Sequence, residues 1–154
     1  GTTNNVIPES ALLEGTVRTV SERTRRQVLD DLRRVADGIA AAHGLEATVE
    51  LLDGYPVTVN DGEAARFALG VAGELLGADV AVEMPSPAMG AEDWSYVLQE
   101  VTGCMAFLGT SPGGRPGEVA PNHSNRMLLD EAAMAVGTAT HAAVALRWLD
   151  PARS

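Results

Sequence analysis

The stretch LEGTVRTVSERTRRQVLDDLRRVADGIAAAHG, residues 13–44, decides the fold. Its first eight residues alternate as a strand does, with Leu13, Val17 and Thr19 on one face and Thr16, Arg18 and Val20 on the other. Ser21 then has the chemistry of an N-cap, and Glu22 complements the positive end of the helix dipole. Val28, Leu32, Val35 and Ile39 recur at helical spacing and define one buried stripe, while Arg25, Arg26, Arg33 and Asp37 lie largely elsewhere. Gly44 follows His43 and predicts a left-handed stop, with an imidazolium suited to the negative end of the helix.

Outward from this stretch the pattern continues. Residues 48–52 alternate as a second strand, and residues 55–62 run extended into the turn chemistry of Asn60-Asp61-Gly62. Strand, helix, strand is half of a small α+β sandwich, and its other half is expected upstream of Gly1. The opening, Gly1-Thr2-Thr3-Asn4-Asn5-Val6-Ile7-Pro8, reads as extended chain entering a turn. A domain boundary is expected near residues 60–62.

Beyond it the spacing predicts a helix over 63–76 closed by Gly77, a short strand over 79–83, and a Pro-rich loop over 84–90. A helix over 91–99, a buried strand over 104–108, a Gly- and Pro-rich loop over 110–125 and an Ala-rich helix over 131–149 follow. Strands alternating with helices suggest an α/β layer. Two strands are too few to be covered by three helices, so this lobe also reads as incomplete.

The bulk properties exclude several functions. A formal charge of -10 and a pI near 4.6 argue against nucleic acid and against anionic membrane surfaces. No apolar run is long enough to span a bilayer, and the first residues lack a basic-then-apolar leader pattern. The single cysteine, Cys104, lies in the apolar run Cys104-Met105-Ala106-Phe107-Leu108 and reads as a buried structural thiol in a reduced, cytoplasmic protein.

Of the three histidines, His43 suits a helix end and His141 sits among alanines within the last helix. His123 differs. In Pro121-Asn122-His123-Ser124-Asn125 it ends a long loop just before a helix, where ligands and catalytic groups concentrate. Glu92-Asp93 at a loop-to-helix junction reads first as acids complementing a dipole, Arg18 as a solvated strand residue and Asn5 as a turn residue.

Six motifs change those weights. Asn5-Val6-Ile7-Pro8-Glu9, Gly15-Thr16-Val17-Arg18, Tyr55-Pro56-Val57-Thr58-Val59-Asn60-Asp61, Met89-Gly90-Ala91-Glu92-Asp93-Trp94-Ser95-Tyr96, Leu108-Gly109 and Asn122-His123-Ser124 stand in order along the whole chain. In order and spacing the chain resembles the aminoacylase/carboxypeptidase family of metallopeptidases. The nearest branch holds hippurate hydrolases, indole-acetyl-amino-acid hydrolases and N-acetyl-diaminopimelate deacetylases.

The resemblance implies an α/β fold: the C-terminal part of a two-metal catalytic domain, residues 61–154, preceded by half of an α+β ferredoxin-like lid, residues 1–60. It implies hydrolysis of the amide bond of N-acyl amino acids or small peptides with a free carboxylate. Two divalent metal ions (zinc, manganese, cobalt or nickel) serve that chemistry, and the lid implies a homodimer. His123 matches the family's last metal ligand. Asn5 and Arg18, thirteen residues apart, match its substrate-binding asparagine and arginine, and Gly90 a residue whose backbone approaches substrate. Glu92 and Asp93 match supporting groups near the site. The general base and the remaining ligands are expected upstream, so no catalytic residue is assigned in this chain. The family's usual His-Ser-Pro-aromatic reads His123-Ser124-Asn125-Arg126-Met127 here, which alters the pocket wall. The competing reading is a non-catalytic dimerisation or binding module.

Overall fold

The structure, a computed structural model, describes residues 3–113 and 119–153. They form helices α1 (Glu22–Ala42), α2 (Gly62–Leu76), α3 (Trp94–Glu100) and α4 (Ala132–Trp148), with a final 3-10 turn at Pro151–Arg153. The chain divides into two units, Gly1–Val57 with Ala88–Glu92, and Thr58–Pro87 with Asp93–Ser154.

In the first unit, α1 forms where its caps and stripe predict. Ser21 Oγ accepts the Thr24 N–H at 3.1 Å, a cap worth about 1 kcal/mol. The helix stops in a complete Schellman motif: Leu45 N–H donates to the Ala40 carbonyl, Gly44 N–H donates to Ala41, and Gly44 adopts φ +69°. Glu22 does more than face the dipole. Its Oε1 accepts the Val57 N–H at 3.0 Å, while Arg25 Nη2 donates to Asp53 Oδ1 at 3.0 Å. The first turn of α1 thereby holds the segment at 53–57. The apolar stripe of α1 is only partly covered, for Val35 and Ile39 stay exposed.

In the second unit, α2 packs on α4. Asp61 Oδ1 caps α2 by accepting from Glu63 and Ala64 N–H groups at 3.0 and 2.8 Å. Ala64 and Val71 are buried, and the Phe67 ring meets Trp148 edge-on at 5.1 Å, a contact of about 0.5–1.5 kcal/mol. An Arg147–Glu74 ion pair joins the same two helices. Leu108 reaches α4 at Gly137, where an added Cβ would stand 2.9 Å from Leu108 Cδ2.

The strands expected at 13–20, 48–52, 79–83 and 104–108 are not formed: the described residues contain no strand, and neither the α/β layer nor the ferredoxin-like lid is seen. Three of these segments lack a ladder among the described residues, and a strand is completed only by a neighbour that takes its N–H and C=O groups. The fourth, 79–83, begins instead in a turn, closed by Val80 N–H donating to the Gly77 carbonyl at 3.1 Å with Gly77 at φ +109°. Without a second layer, Ile7, Leu13 and Leu52 are at least nine-tenths exposed. Helix α3 starts three residues later than expected: 91–92 are not helical and Asp93 lies in a turn. Part of the expected loop over 110–125, residues 114–118, lies outside the described residues, as do Gly1 and Thr2 at the opening.

Candidate metal and substrate site

His123 occupies the third position of a tight turn closed by Ser124 N–H donating to the Pro121 carbonyl at 3.1 Å. Its φ of +68° makes it the one non-glycine residue in the left-handed region among the described residues. That conformation costs a non-glycine residue about 1–3 kcal/mol and gathers at functional sites. Histidine, with Asn and Asp, is one of the non-glycine residue types enriched at positive φ, so the turn suits either Asn122 or His123. A second turn follows at once. Met127 N–H donates to the Ser124 carbonyl at 3.1 Å, and Arg126 N–H donates to Ser124 Oγ at 3.1 Å. The His123 side chain is exposed and has no hydrogen-bond partner among the described residues.

A neutral imidazole is the right donor for zinc, manganese, cobalt or nickel, and here it is free to accept one. In that respect His123 fits a metal. Among the described residues no three His, Cys, Asp or Glu side chains gather to complete a coordination shell. His43 caps α1 and His141 lies on an exposed part of α4, away from any such group. Cys104 donates from Sγ to the Ala64 carbonyl at 3.7 Å. Burial pushes its thiol pKa up and the Asp61 charge adds to this, so the thiol stays protonated at neutral pH.

The other expected site residues divide between the units. Asn5, Arg18, Gly90 and Glu92 fall in the first, Asp93 and His123 in the second. Asn5 sits in an exposed turn. Arg18 lies exposed on a segment without regular secondary structure, with no carboxylate partner among the described residues. Gly90 has neither positive φ nor crowding, for an added Cβ would meet only Glu92 Oε1, at 3.9 Å. The local backbone therefore does not require glycine there. Asp93 stands at the start of α3 without a side-chain cap bond, and its carbonyl accepts the Tyr96 N–H.

Two residues of the motif at 55–61 have structural tasks that motif matching missed. Asn60 pairs with the backbone of Met105, and Asp61 caps α2. A concave region of about 470 Å³ lies between residues 59–62 and 98–103 and includes none of the expected site residues.

Residues 4–147 match the model of peptidase family M20/M25/M40. The chain is 34% identical over 149 residues to thermostable carboxypeptidase 2 of Saccharolobus solfataricus, covering 96% of this chain and 37% of that protein. It is 33% identical over 149 residues to the IAA-amino acid hydrolase ILR1-like 4 of Arabidopsis thaliana, covering 94% of this chain and 33% of that protein. It is 33% identical over 138 residues to the N-acetyldiaminopimelate deacetylase of Leuconostoc citreum, covering 89% and 34%. The chain thus spans about a third of the length of the curated relatives it matches.

Proposed function

The chain belongs to peptidase family M20/M25/M40, and from that premise we propose that the complete protein is a metal-dependent amidohydrolase. Its substrates are N-acyl amino acids or small peptides with a free carboxylate. Residues 1–60 serve as the second half of a lid that pairs with a second copy, and residues 61–154 as the C-terminal segment of the catalytic domain. The relatives' names, a carboxypeptidase, an amino acid conjugate hydrolase and a deacetylase, support an amide bond next to an amino acid as the scissile bond.

The observation that carries the reading is His123: a strained, exposed imidazole without a partner among the described residues, inside the stretch that matches the family. His123 would hold one divalent ion, with the remaining ligands supplied from outside the described residues. When bound, such ions supply Lewis acidity and a nucleophile at neutral pH. Arg18 offers a planar fork to the substrate α-carboxylate, and Asn5 an amide to the carboxylate or the carbonyl. Gly90 presents backbone that a substrate can approach, which agrees with a glycine that local packing does not require. Glu92 and Asp93 support that loop. None of the described helices is long and apolar enough to cross a membrane. The single cysteine, which cannot form an internal disulfide, supports a reduced, cytoplasmic protein.

The test is a substrate screen of the complete protein with added divalent metals, using hippurate, N-acetyl amino acids, indole-acetyl conjugates and dipeptides. Metal-dependent hydrolysis of at least one class is expected. The present chain alone should show no tight stoichiometric zinc or manganese site by calorimetry and no turnover. A complete protein inert to all classes would favour the binding-module reading.

A further inference from the structure

We draw no further inference here: the strongest candidate, the exposed apolar face of helix α1 at Val35 and Ile39, carries nothing, because nothing in the structure shows what covers it.

Discussion

The side-chain amide of Asn60 pairs with both backbone groups of Met105: Oδ1 accepts the N–H at 2.8 Å, and Nδ2 donates to the carbonyl at 3.0 Å. A primary amide offers the same donor and acceptor as a peptide unit, so Asn60 pairs with Met105 as a strand neighbour would. Asp61 N–H extends the pairing by donating to the Gly103 carbonyl at 3.0 Å, and its carboxylate then caps α2. Three jobs are thus done by two adjacent residues. Asn60→Ala should cost about 1 kcal/mol, since the Met105 groups can partly return to water. Asn60→Asp should cost a similar amount, because it keeps the acceptor but turns a carboxylate oxygen toward a carbonyl. Urea denaturation midpoints of the two variants check this.

Glu22 gives the first unit a pH dependence of known sign. The Val57 N–H does most to hold its carboxyl pKa below the ordinary 4.5; burial opposes it, and Arg25 and then Arg26 add to the lowering. A carboxylate with a depressed folded-state pKa contributes stability that is fully present above the unfolded value. That contribution is lost as pH falls through the folded value. The side chain is 44% exposed, so solvent limits the effect to less than about 1 kcal/mol. Glu22→Gln should lower stability at neutral pH by that small amount and flatten the acid limb. Urea midpoints measured from about pH 3 to about pH 7 should show the two proteins converging at the acid end.

The strain at His123 predicts an order of stabilities that ligand loss alone does not. In chelated protein His123→Gly should be more stable than His123→Ala by about 1 kcal/mol, because only glycine adopts φ +68° freely. Asparagine should fall between them. Equal stability of the three variants under chelation would show that this backbone relaxes once the histidine is gone.

The helices were legible because each carries its own evidence. Ser21, Gly44, Asp61 and Gly77 punctuate apolar periodicities that need no distant partner to be recognised, and α1, α2 and α4 begin and end within a residue or so of the expected places. The strands were not. Alternation at 13–20 or 48–52 states which residues suit a pleated surface, but a ladder belongs to two segments, and none forms among the described residues. At 79–83 the signal was misleading: Gly77 followed by Ala78-Asp79 closes a turn that consumes the start of the short apolar run. The candidate site rests on two unequal signals. Loop position singled out His123, and motif spacing alone singled out Asn5, Arg18 and Gly90. The φ of His123 and the three hydrogen bonds of Ser124 are properties of a loop, and no periodicity encodes them.

Arg18 tests the substrate class. It is exposed, and no described carboxylate pairs with it, so its guanidinium is available to a ligand. If it clamps the substrate α-carboxylate as the lid closes, Arg18→Ala in the complete protein should cost roughly 2–5 kcal/mol in kcat/KM. Arg18→Lys should rescue only partly, for it restores the charge but not the planar fork. Substrates with an amidated carboxylate should already be poor for the wild type, and the substitution should harm them far less. That difference is the discriminating quantity, since a general loss of stability slows both substrates equally. Part of the loss should appear in kcat, because binding energy from a remote carboxylate can be used to orient the scissile amide. The measurement is a double cycle of wild type and Arg18→Ala, each assayed on a free-carboxylate substrate and on its amide. Equal losses on the two substrates would assign Arg18 to the structure of the lid and leave carboxylate recognition to another residue.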